Sequence, residues 1–338
     1  MSLPTGKLPL QLLREALDRV PRRDPTVLVG AAPGEDAAVI DVGGPELLVA
    51  AADPITFAAA DIGTYLLAVN GNDLAVTGAE PRWLLATVLV PAGTTAHEIQ
   101  ALLDDVTTAC AAAEVALVGG HTEITDSVAS PVVAGALLGT VAPEALVRTS
   151  GARPGDALLL AGELAVEGTA ILAGDHASTL RRAGVAEADI DAGVSRLHSP
   201  GISVRPAAAA LRAAADVHAM HDPTEGGLAA ALHELAEAAE VGVMVDRDAV
   251  PVLPECRRIC RALELDPYAL LASGALLASL PAARAPAAVA ALQRAGLAAA
   301  VIGDVTAASE GRRWTVGGKD VPIPTVERDE LARFLESA

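Results

Sequence analysis

The sequence predicts a two-domain α/β protein, and three observations carry that expectation. Apolar runs of strand length alternate with helical periodicity along most of the chain. Hydrophobic residues make up 52% but aromatics only 2%, so the cores have to be built from alanine, valine, leucine and isoleucine, which suits helices packed on sheets. The turn-rich stretch RTSGARPGD (148–156) breaks the pattern near the middle. At 338 residues the chain is long enough for two ordinary domains, placed here at 1–150 and 151–338.

In the first domain LPLQLLREALDRV (8–20) reads as an amphipathic helix. AAVIDV and ELLVAAADP follow as a strand pair separated by the turn Gly43-Gly44-Pro45, with Asp53 ending the second strand and Pro54 stopping it. Asp61 is placed to cap a helix running to about Gly78, where Gly78 and Pro81 supply stop signals. RWLLATVLVPAG reads as a strand, 95–113 as a helix, VALVGG as a buried strand and PVVAGALLGTVA as a further strand. The second domain opens with the strand ALLLAG (157–162) and a helix over 164–174. A polar, turn-rich segment (176–202) precedes a helix over 203–215, and DVHAMHD is a strand leading into a helix from Thr224. VGVMVD, GALLASLP and AAAVIGDV are strands, with a helix over 282–295 between the last two.

The formal net charge of −19 argues against nucleic acid or an anionic membrane surface as partner. An acidic chain holds a polyanion such as a nucleotide through metal ions or backbone amides. The three cysteines, Cys110, Cys256 and Cys260, form no disulfide framework and fit a reducing, cytoplasmic setting. Cys256 and Cys260 stand at i, i+4, but without Cys-x-x-Cys or paired histidines packing is the preferred reading. The most apolar run, ALLASGALLASL (269–280), is too short to span a bilayer, and no secretory signal pattern is visible.

Two constellations carry chemistry. In MHDPTEGGLAAALHELAEAAEVG (220–242), Asp222 is the expected N-cap, Pro223 the first helical residue and Glu225 the capping-box partner. Gly226 and Gly227 then fall inside the first turns, where each costs about 1 kcal/mol relative to alanine. Either they permit tight helix–strand packing, or they let a phosphate approach the helix N-terminus. Asp222 and His221, at the carboxyl end of a strand, favour the ligand reading. The second constellation is a set of acids placed where apolar strands begin or end: Glu35 and Asp36 in GEDAAVI, Asp53 in LLVAAADP, and Glu123 with His121 beyond a double glycine in VALVGGHTE. Within the helix 61–78, Asn70, Asp73 and Thr77 form a polar stripe from which Asn72 is turned away. Singly, each acid reads as a capped turn or solvated edge; their oxygens are of the kind Mg²⁺ prefers, but spacing alone does not show that they converge. His121 reads either as a partly buried turn histidine bonded to a carboxylate or as a proton donor beside a phosphoryl group. HSPGISVRP (198–206) reads either as a structural turn before a helix, the preferred reading, or as a flexible substrate lid.

These motifs, in this order, resemble the aminoimidazole-ribonucleotide (AIR) synthase superfamily, which includes AIR synthase, thiamine-monophosphate kinase, selenophosphate synthetase and the carbamoyl dehydratase of hydrogenase maturation. GEDAAVI is similar to that group's Gly-Asp-Asp-Ala-Ala-Val segment, with Glu35 at the first aspartate. AADPIT resembles its Thr-Thr-Asp strand end, NDLAVTGAEP its Asn-Asp-Leu-Ala-hydrophobic-Gly-Ala helix, and GGHTEIT its Gly-Gly-x-Thr turn. HDPTEGGLA is close to the Asp-Pro-Thr-Arg-Gly-Gly-Leu-Ala of the hydrogenase-maturation branch. The resemblance implies an amino-terminal domain whose sheet pairs with that of a second subunit into a barrel, a carboxyl-terminal α/β domain, and ATP with Mg²⁺ between them. By position it implies Asp36, Asp53 and Asp73 as metal ligands, and Glu35, Asn72, Glu123, Thr224, Gly226 and Gly227 as nucleotide or phosphate contacts. His121 and Asp222 are the catalytic candidates.

The chemistry shared across the superfamily is transfer of the γ-phosphoryl group of ATP to an oxygen of an amide or similar acceptor, small or protein-borne. The alternatives are a small-molecule kinase of the thiamine-monophosphate type and a non-catalytic nucleotide-binding maturation or scaffold protein. The departures bear on the acceptor. ARFLESA carries no cysteine where the dehydratase branch has one, the reactive-residue loop of selenophosphate synthetase is absent, His121 replaces an aspartate, and Glu225 replaces an arginine.

Overall fold

The computed structural model describes residues 6–337 apart from 9, 18, 21–23 and 59. The backbone passes more than once between two packing units. Residues 24–30 and 36–146 form the first; the amino-terminal segment, 31–35 and everything from 147 form the second. The helix expected over 8–20 is seen as α1 (Leu10–Leu17), with residues 9 and 18 outside the described residues. It groups with the second unit although it opens the chain, because Lys7 bonds Glu234 at 2.8 Å and Arg14 pairs with Glu237.

The first unit contains β1 (Val27–Val29), β2 (Ala38–Ile40), β3 (Leu47–Ile55), α2 (Ile62–Val76), β4 (Glu80–Pro91), α3 (Ala96–Ala112), β5 (Ala116–Thr125) and β6 (Val132–Val141). Its six-stranded sheet runs β1-β2-β3-β6-β4-β5, antiparallel except for β4–β5. Burial alternates strictly along β6 and nearly so along β4, as it does when one face of a sheet is packed and the other open. The helix α2 lies against this sheet and α3, so its polar residues Asn70 and Asn72 are fully buried along with Leu66 and Leu74.

Three local expectations change in this unit. Asp61 does not cap α2: it adopts a left-handed backbone (φ 53°) with no side-chain bond to the helix, and the Gly63 amide is taken instead by Asp105 Oδ2 of α3 at 2.8 Å. Pro54 does not stop β3, which continues to Ile55. β2 pairs only with residues 48–50, so β3 is an open edge on that side and a missing amide costs no ladder bond there. VALVGG is not buried. Among the described residues β5 ends the sheet with no neighbour beyond it, and all but its last residue are exposed. The double glycine has a packing cause, since a Cβ on Gly120 would stand 1.8 Å from the Ala86 carbonyl oxygen of β4.

The second unit adds β7 (Asp156–Ala161), α4 (Val166–Asp175), α5 (Ala177–Arg182), α6 (Glu187–Ser195), α7 (Arg205–Ala214), β8 (Ala219–His221), α8 (Gly227–Ala238), β9 (Gly242–Asp246), α9 (Pro254–Leu263), β10 (Leu276–Pro281), α10 (Ala285–Arg294), β11 (Ala299–Thr306), β12 (Arg312–Val316), β13 (Lys319–Pro322) and α11 (Glu330–Ser337). The sheet order is β13-β12-β9-β11-β7-β10-β8, with only β12–β9 parallel. The polar segment 176–202 holds two short helices rather than turns alone. Gly193 of α6 lets that helix close on α4, where a Cβ would stand 2.7 Å from Ala173 Cβ. Cys256 and Cys260 are both buried on α9 with sulfurs 3.8 Å apart, as packing requires.

The apolar run 269–280 is only half strand. Its first half, with Asp266–Tyr268, forms a buried loop whose carbonyls accept the opening amides of three helices. Glu167 and Gly168 of α4 donate to Ser273 and Leu271, Ala229 of α8 to Tyr268, and Glu330 of α11 to Ala269. A loop stays buried only when its polar backbone is matched, and helix N-termini bring the unpaired N–H groups that match it. Tyr268 pins the loop: its ring packs edge-on to Trp314 at 5.9 Å, under the Arg247 guanidinium at 4.0 Å.

Candidate functional site

In the first unit the site is built from one strand entrance and one helix. Asp36 precedes β2 and Asp73 lies on α2, and their carboxylate oxygens come within 4.8 Å of each other. Asp73 is buried and Asp36 half-buried, so this is a partly desolvated pair of hard anionic oxygens, the donor set suited to Mg²⁺. Asp53 is half-buried on β3, fixed through its backbone: the Asn70 side chain accepts from its N–H at 2.9 Å and donates to its C=O at 3.3 Å. The polar stripe on α2 is thereby partly a clamp. Gly135 of β6 leaves the room for it, a Cβ there falling 3.0 Å from Asn70 Nδ2.

Glu35, His121 and Glu123 are placed differently from expectation. The chain changes units between Glu35 and Asp36, and Glu35 Oε1 accepts the Ser150 amide at 3.3 Å within the second unit. His121 and Glu123 lie on β5 rather than in a turn beyond it. Register sets them beside Thr87 and Leu89 on the open face, and their side chains, 65% and 53% exposed, approach each other at 3.4 Å. The partly buried histidine read from the sequence is therefore an exposed one, because β5 has no covering neighbour.

In the second unit Asp222 leaves β8 almost completely buried, as its strand-end position predicts. The helix after it starts later than expected. α8 begins at Gly227, its N-cap is Gly226 in a left-handed conformation (φ 80°), and neither Asp222 nor Glu225 caps it. Thr224 through Gly227 form a turn closed by the Gly227 amide on the Thr224 carbonyl at 3.0 Å. Gly227 is also left-handed (φ 60°), and a Cβ on it would stand 2.7 Å from the Tyr268 carbonyl oxygen. The glycines are thus required by the turn and by the loop packed on it. The amide of Gly226 is already engaged, donating to Asp329 Oδ2 at 2.7 Å.

Beside this turn lie acids that sequence reasoning missed. Asp329 caps α11 through Leu331 N at 2.7 Å as well as holding Gly226, and burial pushes its carboxyl up to about 7 against those two hydrogen bonds. Glu167, in the first turn of α4, is raised by burial to about 8, with Glu225, Asp329 and Asp222 adding like-charge repulsion that the Ser273 hydroxyl only partly offsets. The only sequence signal was a lone charge in the apolar run LAVEGTAIL. Behind the turn, Glu234 of α8 accepts from Lys7 and lies 3.0 Å from His221 Nε2. Burial alone would raise it, but these two partners hold it down at about 2.

Residues 34–141 match the amino-terminal domain of AIR synthase related proteins, and residues 153–315 match the carboxyl-terminal domain. This chain belongs to the AIR synthase-related family. Carbamoyl dehydratase HypE of Rhodobacter capsulatus is 33% identical to this family member over 290 residues, covering 83% of the chain and 81% of the relative. Among solved structures, E. coli HypE, a hydrogenase maturation protein, superposes with a TM-score of 0.72 at 25% identity, covering 96% of this chain and 98% of the other. Hydrogenase maturation protein HypE in complex with ATP gives 0.70 at 27% identity, covering 91% and 92%. The AIR synthase-like fold predicted from the motifs is the fold observed: mixed α/β, in two units each built on one sheet.

Proposed function

We propose that the chain binds ATP with Mg²⁺ and transfers the γ-phosphoryl group to an oxygen of an acceptor, an amide or a similar group, making that oxygen a leaving group. The observation that carries this reading is the Asp36–Asp73 carboxylate pair within 4.8 Å, in a family one of whose solved members is an ATP complex. Asp36 and Asp73 are proposed to hold the metal, with Asp53 as a further ligand positioned by Asn70. The metal supplies neutralisation of the triphosphate charge; the chain supplies orientation, since phosphoryl transfer asks little covalent help from a protein. Asp222 is proposed as a catalytic residue. Thr224, Gly226 and Gly227 are assigned to shaping the turn that holds it, which the filled Gly226 amide favours over direct phosphate contact.

A homodimer is also proposed, formed through β5. An edge strand with Val118 and Ile124 more than half exposed is a pairing surface that a lone chain leaves open. Among the described residues no helix is long and apolar enough to cross a membrane.

Titration calorimetry with a non-hydrolysable ATP analogue tests the reading. Binding is expected with Mg²⁺ and at least tenfold weaker without it. Asp73→Asn is expected to lose that metal dependence, because it removes a hard anionic ligand. Equal binding with and without Mg²⁺, in wild type and variant alike, would refute the metal assignment.

A further inference from the structure

A cavity of about 160 Å³ lies within the second unit, between α8 and the segment that precedes α11. Printed side by side, the contacts along α8 fix the direction of that segment. His233, about two turns into the helix, reaches the carbonyls of Ile323 and Pro324 at 3.3 and 3.2 Å. At the start of the helix a Cβ on Gly226 would stand 3.3 Å from Val326 Cγ1, and the Gly226 amide donates to Asp329. Residues 323–329 therefore run back along α8 from His233 to Gly226. Leu8 and Leu13, before and within α1, line the same space, brought there by the Lys7–Glu234 ion pair. Of the metal, nucleotide and catalytic candidates only Gly226 is among the described residues that border it.

The two ends differ in how their charges are met. At the His233 end Lys7 is paired with Glu234, and Arg312 with Glu237 at 2.9 Å. His233 donates from Nε2 to the two carbonyls and accepts at Nδ1 from Arg312 at 3.2 Å, so it is neutral and complete. At the Gly226 end two charged groups are left over. Arg328 gives Nη2 to the Ala332 carbonyl at 2.8 Å and to Glu336, but its Nε is buried without a hydrogen-bond partner. Glu225, half-buried, joins no hydrogen bond or ion pair among the described residues. Asp329 beside them is already filled by the Gly226 and Leu331 amides. A buried guanidinium N–H lacks an acceptor here, and a carboxylate on the same cavity lacks a donor. Much of the remaining wall is apolar, from Ala230, Val326, Leu13 and an exposed Leu8.

We propose that this cavity binds a free α-amino acid with an apolar side chain. The ligand carboxylate takes the Arg328 Nε–H, its ammonium group meets the Glu225 carboxylate, and its side chain lies along Ala230 towards Leu8 and Leu13. An apolar cavity of about 150 Å³ takes one benzene-sized body, so the space suits a side chain of that size. Either charge alone fits less well. An amine leaves the Arg328 Nε unmet, and a carboxylate without an ammonium group is repelled by Glu225 and by Glu327 at the rim. Because Leu8 and Leu13 belong to the amino-terminal segment, a bound amino acid also fastens α1 onto α8. The site does not depend on phosphoryl transfer.

The test is calorimetry of the full chain, without nucleotide, using L-leucine and L-phenylalanine. The tighter binder is then compared with its amide, which lacks the carboxylate, and its N-acetyl derivative, which lacks the ammonium group. The expected result is saturable binding of the free amino acid with a Kd below about 1 mM, and at least tenfold weaker binding of each blocked form. Glu225→Gln is expected to weaken the free amino acid at least tenfold while binding the N-acetyl form no worse than wild type, a split that a merely structural role would not produce. The blocked forms also stand for the two ends of a peptide, so tighter binding of either assigns the cavity to a peptide terminus and overturns the proposal. If Glu225→Gln does not fold, the three compounds on the wild type decide alone. No saturable binding of either amino acid below about 1 mM, the result of a cavity that holds only water, overturns it too. Failure here leaves the nucleotide reading standing, since that is measured separately with the ATP analogue.

Discussion

Replacing Glu167 by glutamine is expected to stabilise the chain at pH 8 and to flatten its pH dependence. The carboxyl ionises near 4.5 when unfolded and near 8 when folded, so the native state holds an extra proton throughout that interval. A group whose acid form is favoured by folding contributes most at low pH, and that contribution drains away as pH rises from 4.5 through 8. At about 1.4 kcal/mol per pH unit the full interval amounts to roughly 5 kcal/mol, of which roughly 4 falls between pH 5 and 8. Water entering around the ionised acid reduces this, so 2–4 kcal/mol is the working expectation. The amide cannot titrate, leaving the Asp329 component, which ends near pH 7, and the opposing one of His233, whose imidazole burial holds below its usual range. Urea unfolding at pH 5, 6, 7 and 8 measures both slopes. Wild-type and variant stabilities running parallel within about 0.5 kcal/mol across that range would show that Glu167 is not a buried neutral acid.

Three other outcomes follow from particular contacts. Gly227→Ala places a Cβ on a left-handed residue 2.7 Å from a carbonyl oxygen, and is expected to cost about 2–5 kcal/mol in urea unfolding, from backbone strain and overpacking together; a change below 0.5 would refute the packing account. Glu234→Gln strands Lys7 and His221 and is expected to cost about 3 kcal/mol at pH 7. Because folding depresses that carboxyl to about 2, its contribution vanishes as pH falls from 4.5 through 2, so acid titration should show wild type and variant converging. Ile124→Glu on β5 is expected to shift sedimentation from dimer to monomer with the thermal midpoint of the monomer kept; an unchanged sedimentation coefficient would place any self-association elsewhere.

Most of the strands and long helices were legible because their periodicity is local. AAVIDV, ELLVAAADP, PVVAGALLGTVA and ALLLAG each contain a strand, and Asp36, Asp73 and Asp222 were visible as acids at or near the ends of apolar elements. Their surroundings were not legible, because these depend on contacts between distant residues. The start of α8 moved to Gly227 once the loop 266–275 and Asp329, about a hundred residues away, took over the capping that Asp222 seemed placed to provide. VALVGG has the composition of a buried strand and is exposed only because nothing lies beyond it in the sheet order. Glu167 carries no motif, and Asp329 sits in a polar tail without period, so neither announced the burial that makes them unusual. The three strands and helix at Val27–Val29, Arg312–Val316, Lys319–Pro322 and Glu330–Ser337 are short or charged, and their pattern is too weak to read alone.

The ion pair from Lys7 to Glu234 joins residues 227 apart in the chain. During synthesis at roughly 5–20 residues per second, α1 therefore leaves the ribosome on the order of 10–45 seconds before its docking surface exists. Throughout that delay the sheet of the first unit has everything it needs to form, while the opening helix has nowhere to go. Nascent chains arrested before residue 234 are consequently expected to present α1 to proteases and chaperones, and release from that arrest to shield it.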